Sequence, residues 1–312
     1  MTRFTLLFLI ILHSRLGLAS VTNQPRKFLF IGASDPQTLI SKIGADIEGV
    51  QIVYNWRRLE EQQDIYNFDV VERDLKFLSS NGKKLWVQLQ DRFFSPSDRL
   101  IPDYLQKEVK YDGGLARQKD NPGEGAGVGS GWVTKQWNPA LRERFQKLIA
   151  EMAKRFDGRI LGINLPETSA DIDIKKESKN GFSCDTYFQA TMENINFART
   201  AFQKSYVVQY INFWPCEWEN DHKYMSRFFE NAVQRNIGLG GPDIIPHRKG
   251  QMKNAYPFFN KYKDKLPLVA FAVQEPTRTY TNPLTKKKFT EAEFLDFGVK
   301  YLGVNLIFWS ID

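Results

Sequence analysis

Eight short apolar runs, alternating with amphipathic stretches, predict an α/β fold, a closed (β/α)8 or TIM barrel with its last helix apparently absent. The runs are rich in Val, Ile, Leu and Phe and are nearly continuous, the pattern of parallel strands covered on both faces. The length of 312 residues accommodates one such domain, since barrels of this kind use about 250 residues. A doubly wound open sheet is the competing architecture. It is disfavoured because the first run ends in Ser34-Asp35-Pro36, without the glycines that cradle a phosphate after a first strand.

Residues 1–19 read as a secretory signal peptide. Arg3 supplies the positive start, Phe4 to Leu12 the apolar centre, and Gly17-Leu18-Ala19 a small-residue cleavage site. The apolar run is shorter than the roughly 20 residues that span a bilayer, so an uncleaved anchor is the lesser reading. The mature chain is expected to be secreted or periplasmic, as a single barrel domain over 20–312 with no transmembrane span. Strands are expected at 27–33, 49–55, 84–90, 160–165, 206–213, 238–245, 268–274 and 304–309. Helical periods cover 70–80, closed by Asn81-Gly82, and 139–156, opened by Pro139 and closed by Asp157-Gly158. Further helices are expected at 187–202, 224–236, 254–265 and 290–302.

Two connections lack a clear period. The first lies around 36–43. The second, 95–138, carries Pro96, Pro102, Gly113-Gly114 and a glycine-rich run, and is expected to be a flexible cleft wall or lid ending in Trp132 and Trp137. The sequence stops at Asp312, directly after the eighth strand. An exposed apolar flank is expected there, with self-association as its consequence.

Hydrophobic residues at 42% and charged residues at 25% indicate a folded chain rather than a disordered one. The formal charge of +7 falls to +5 without Arg3 and Arg15. Lys286-Lys287-Lys288, the only tight basic run, reads as a solvated loop tip, so nucleic acid is not an expected partner. Cys184 and Cys216 are the only cysteines and both follow predicted strands. In an oxidising compartment they form one disulfide or remain two thiols.

Beyond the leader the histidines are His222 and His247. Neither a His-Glu-x-x-His zinc helix nor a Gly-x-Ser-x-Gly nucleophile elbow is present, and no metal or cofactor is expected. Carboxylate chemistry is left. Glu167 and Glu275 each close an apolar run, in Gly162-Ile-Asn-Leu-Pro-Glu167 and Val269-Ala-Phe-Ala-Val-Gln-Glu275. Two carboxylates on one rim, one protonated and one ionised, are what cleavage of a glycosidic bond requires.

Trp56-Arg-Arg-Leu59-Glu60, then Tyr66-Asn-Phe68-Asp69 and a helix ending in Asn81-Gly82, resembles a signature of clan A retaining glycoside hydrolases, the β-galactosidase-like and cellulase-like barrels. Glu61 stands where that clan usually has proline. The clan carries its acid/base glutamate after the fourth strand and its nucleophile after the seventh. The resemblance therefore implies acid/base for Glu167 and nucleophile for Glu275. It implies a sugar platform at Trp309, and an oligo- or polysaccharide substrate.

There are departures. Pro166 rather than Asn precedes Glu167, leaving Asn164 as the candidate for the sugar 2-hydroxyl. The sixth strand lacks a tyrosine, for which His247 is the candidate substitute, and Gln51 stands where arginine is common. Asn55, Trp56, Gln90, Asn212 and Trp214 complete the expected substrate contacts, Trp214 and Trp218 either stack on sugar subsites or pack in the core, Asp91 and Arg92 are weaker rim candidates, and Glu217 is a rival acid. Glu60 and Asp69 are expected to be structural. The alternative reading is a non-catalytic glycan-binding or envelope interaction protein on the same barrel.

Overall fold

A computed structural model describes residues 24–119, 131–274 and 280–311. Eight parallel strands close into a barrel in sequential order: β1 (Arg26–Phe30), β2 (Gly49–Asn55), β3 (Lys84–Gln90), β4 (Gly162–Leu165), β5 (Tyr206–Tyr210), β6 (Gly238–Gly241), β7 (Val269–Val273) and β8 (Leu306–Ser310). β8 closes on β1 with Arg26 opposite Leu306 and Phe30 opposite Ser310. Among the described residues, six helices of seven residues or more accompany the strands: α1 (Asp69–Ser80), α2 (Pro139–Phe156), α3 (Cys184–Ala201), α4 (Tyr224–Arg235), α5 (Tyr256–Tyr262) and α6 (Glu291–Phe297). The closed barrel with surrounding helices is the expected fold class, and β2, β3 and α2 have the expected bounds. The predicted leader, 1–19, lies outside the described residues. Among those described, no helix is long and apolar enough to cross a membrane.

Local chemistry explains the element boundaries. Asn138 accepts the Leu141 N–H at 3.1 Å and so caps α2, with Pro139 at its first position. Ser183 and Thr186 form a capping box at the start of α3, and Thr290 and Glu293 form one at the start of α6. Asp35 caps a short helix, Pro36–Leu39, in the first connection.

Alternate residues of each strand face the lumen or the helices. Phe28, Trp86, Val208, Tyr210, Ala270, Ala272, Leu306 and Phe308 pack together inside. Leu29, Val87, Ile163, Val207 and Ile307 belong to the outer core against the helices. Glycine makes room for the large lumen rings: a Cβ on Gly162 would sit 2.6 Å from the Trp86 ring, and one on Gly49 2.5 Å from Phe28.

The third connection is more ordered than its sequence suggests. Trp132–Thr134 pairs antiparallel with both Arg92–Phe93 and Leu115–Arg117, and Asp103–Lys107 is helical. Trp137 is buried against Phe182 at 4.9 Å. The glycine-rich part, 120–130, lies outside the described residues.

β1 and β8 form the flank on which an apolar surface is expected. A groove of about 330 Å³ runs there, bordered by Lys27, Lys42, Asp46 and Glu291. Its apolar members Leu29, Ile47 and Trp309 are each less than one-tenth exposed. Ile311, which also lines this groove, is partly exposed.

Glu60 is structural, as expected. Fully buried, it accepts from Trp56 Nε1 at 2.9 Å and Tyr104 Oη at 3.0 Å, and pairs with Arg144 of α2. Removing one partner of a buried pair strands the other's charge and costs about 3–5 kcal/mol. Arg144→Met is predicted to lose that much stability in urea titrations, and adding Glu60→Gln to recover part of it.

Candidate functional site

Glu167 stands two residues beyond β4, at the C-terminal end of the barrel where sites in this architecture collect. Pro166, which lacks an N–H, ends the ladder. Its carbonyl accepts from Gln209 Nε2 of β5. On the other side, buried Thr168 accepts the Asn212 N–H at 3.0 Å through its hydroxyl and the Tyr187 hydroxyl at 3.0 Å through its carbonyl. Glu167 is thus held between two anchored neighbours. The half-buried carboxylate accepts from Asn212 Nδ2 at 2.8 Å, and Gln251 Nε2 in turn donates to Asn212 Oδ1.

Glu167 borders a void of about 40 Å³ whose polar lining includes Asp91, Arg92, Gln136, Asn194 and Gln209 and whose apolar lining includes Val133, Phe145 and Leu165. Arg92 donates to the Tyr187 hydroxyl at 2.6 Å. Burial disfavours the Arg92 charge, but Tyr187, Glu167 and Asp91 outweigh it and raise the guanidinium's pKa. Arg92 Nε and Nη1 have no hydrogen-bond partner among the described residues. Burial pushes the Asp91 carboxyl up, against the opposing pull of Arg92 and of Gln136, which donates at 2.6 Å. Asn194 of α3 completes the chain by donating to Gln136 at 3.0 Å.

The lumen below the rim carries a second polar group. Gln51 Nε2 donates to Asn164 Oδ1 and to Tyr210 Oη, each at 2.8 Å, and Trp86 Nε1 donates to the same Asn164 oxygen at 3.0 Å. β2 neighbours neither β4 nor β5, so these bonds cross the interior. Above them Gln88 Nε2 donates to Gln90 Oε1 at 3.3 Å. Gln51 Oε1, Gln88 Oε1 and Asn164 Nδ2 lack hydrogen-bond partners among the described residues. Gln51, Gln88 and Asn164 are all buried, so this group of neutral carboxamides braces the barrel interior beneath the rim.

Several expected substrate contacts are placed elsewhere. Asn164 has no exposed surface, and its carbonyl oxygen is taken by Gln51 and Trp86. It braces the lumen rather than meeting a ligand at the rim. Trp309 falls on the outward face of β8, against Phe294 of α6 at 6.5 Å, because Phe308 and Ser310 take the inward positions. Trp56 is fully buried against Phe145 at 5.1 Å. Trp214 is 3% exposed, enclosed by Tyr187, Phe188, Tyr224 and Phe228. His247 is exposed, with a positive φ of 64° and its ring beside Phe297, 5.6 Å away. Glu217 accepts the Tyr224 and Met225 N–H groups and so caps α4.

Asn55, Gln90 and Asn212 stand at or just beyond the C-terminal ends of their strands, all half-buried. Asn55 accepts the Arg58 N–H at 3.0 Å, capping the short helix Trp56–Leu59. Glu275 lies outside the described residues; β7 ends at Val273. Gln251, Gln136, Asn194 and Tyr187 escaped the sequence reading because a polar residue on a helix or loop gives no local sign of its distant partner. Among the described residues no three His, Cys, Asp or Glu side chains gather to hold a metal ion.

No family model matches the sequence, and no curated protein matches it. Solved structures do. The catalytic domain of β-amylase from Paenibacillus polymyxa superposes with a TM-score of 0.58 at 9% identity, covering 93% of this chain and 92% of that one. A GH10 endoxylanase from a sugarcane soil metagenome gives 0.53 at 11% identity, over 92% and 86% of the two chains. Endo-glycoceramidase II from Rhodococcus sp., in a cellobiose-like imidazole complex, gives 0.53 at 10% identity, over 93% and 73%. At these identities the likeness is one of fold.

Cys184, the first residue of α3, is disulfide-bonded to Cys216 in the loop after β5, with Cα atoms 6.1 Å apart. The bond resolves the alternatives left by the sequence and ties down the loop that begins with Asn212. Closing a loop of 32 residues is worth about 2–4 kcal/mol. Cys184→Ser with Cys216→Ser is predicted to lower stability by that amount in thermal melts, and the same loss should follow reduction of the unaltered protein.

Proposed function

We propose that the protein is an exported glycoside hydrolase that cleaves a β-glycosidic bond with retention, in a secreted or periplasmic setting. The observation that carries the proposal is the half-buried Glu167 carboxylate, held by Asn212 at the C-terminal rim of a closed barrel. The barrel likeness to a β-amylase, an endoxylanase and an endo-glycoceramidase supports the substrate class, an oligo- or polysaccharide. Glu167 is assigned acid/base and Glu275 nucleophile, on the strand count of the clan A resemblance.

In this mechanism the Glu275 carboxylate attacks the anomeric carbon while Glu167 gives its proton to the departing oxygen. The bond between sugar and leaving group breaks, and a glycosyl ester on Glu275 forms. Glu167, now ionised, takes a proton from water, and the resulting hydroxyl displaces Glu275 from the anomeric carbon. Two inversions leave the configuration retained. The donor from Asn212 fixes the orientation of Glu167 through both steps, which matters because small misplacements of a reacting group cost large factors in rate.

The second reading, a barrel that binds glycans or an envelope partner without cutting, draws on one observation. Asn164, the candidate for the 2-hydroxyl contact, is enclosed in the lumen.

Glu275→Gln is predicted to abolish turnover while leaving oligosaccharide binding intact, measured by reducing-end release beside calorimetry; full activity in that variant sinks the assignment. Glu167→Gln should slow glycosides with poor leaving groups far more than an activated aryl glycoside, and an equal loss on both removes its acid role. Nuclear magnetic resonance of the first-formed product should show the β anomer. Export is checked by N-terminal sequencing of extracellular protein, expected to begin at Ser20.

A further inference from the structure

The loop after β5 holds an exposed ring pair in an unusually fixed setting. Phe213 and Trp218 lie parallel to within 2°, with centroids 6.4 Å apart. The two rings stack in parallel and present an apolar face at the surface of the loop. Trp218 is 49% exposed and Phe213 half-buried. Gly250 borders the pair, and a Cβ there would come within 3.3 Å of the Phe213 ring.

Four consecutive residues that carry the indole are anchored. Cys216 is bonded to Cys184, and Glu217 caps α4 through the Tyr224 and Met225 N–H groups. The Trp218 N–H donates to Asp221 at 3.0 Å, and the Glu219 N–H donates to buried Asn254 at 2.8 Å. Asn254 itself donates to the Gly250 carbonyl at 2.8 Å. Such bracing does nothing to bury Trp218. It removes the ordering cost of presenting a flat ring to a ligand, the usual route by which a preorganised surface gains affinity.

Position and charge identify the ligand class. Asn212, which holds Glu167, directly precedes Phe213, and Gln251, which holds Asn212, directly follows Gly250. The surface therefore adjoins the Glu167 site. Of the charged side chains beside it, Glu219 pairs with Lys253 and Asp221 lies against His222, each at 2.8 Å. An exposed apolar ring on this loop suits the C–H face of an uncharged pyranose, with hydroxyl groups left at its edge for amides and water.

We propose that Phe213 and Trp218 form a rigid stacking platform for one uncharged pyranose ring of an oligosaccharide, beyond the ring that reacts at Glu167. The inference rests on the glycan reading of that site, and it names the platform that Trp214 and Trp309 do not supply.

The test is calorimetric titration of the Glu167→Gln chain, which keeps the probe intact, with cellohexaose, xylohexaose, maltohexaose and hexagalacturonate. At least one neutral hexasaccharide should bind. Adding Trp218→Ala should weaken that binding about tenfold, and Phe213→Ala should weaken it similarly, while Trp218→Phe should restore most of it. Circular dichroism melts exclude unfolding as the cause; exposure of the indole makes an unchanged melt the expected result. Undiminished binding by both alanine variants overturns the platform, as does binding of hexagalacturonate alone or of none of the four probes. The unsubstituted protein separates this inference from the hydrolase reading. Cleavage of a hexasaccharide with no effect of Trp218→Ala on binding removes only the platform, whereas Trp218-dependent binding without cleavage removes only the hydrolase.

Discussion

Closure of the sheet by β8 against β1 is the constraint on which the rest of the molecule depends. With the strands joined in a ring, every inward side chain must share one narrow lumen, and every strand delivers its last residues to one rim. Two consequences follow from the lumen alone. Large rings enter only where a neighbour gives way, as at Gly49 and Gly162. A polar group enters only where a partner can be reached, and Gln51 meets that condition by spanning from β2 to Asn164 and Tyr210. The rim inherits this order, because the segment carrying Glu167 continues directly from the strand that carries Asn164.

Much of the fold was legible in the residues. Runs such as Gly49–Asn55 and Lys84–Gln90 announce buried parallel strands by their near-continuous apolar character, and Asn138-Pro139 announces a helix start. The site was less legible, and the reason is direction. Phe308 and Trp309 differ by one place along β8 and so face opposite ways, a distinction fixed by strand parity rather than by residue type. Trp214 and Trp218 differ by four places in one loop, yet one lies in the core and the other half in solvent. The small sheet of Arg92–Phe93, Leu115–Arg117 and Trp132–Thr134 arises from pairing across distant residues, which leaves no local period. Strand counting put Glu167 just beyond β4 without any such help, because it relies on order alone, while Glu275 lies outside the described residues.

The polar groups around Glu167 share a style of support. Asn212, Gln251, Gln136, Asn194 and Tyr187 each come from a different loop or helix from the one they steady, so strands, helices and loops are coupled through single hydrogen bonds. Most members are neutral, which avoids the desolvation cost of further buried charge. The exceptions, Asp91 and Arg92, are consecutive and lie on opposite sides of the charge balance.

The rings of Phe28, Trp86 and Phe308 fill the lower lumen and have no exposed surface. The lower lumen is therefore packed shut among the described residues, a filled core and not a tunnel. Anything bound above Glu167 arrives and departs on the same side of the molecule.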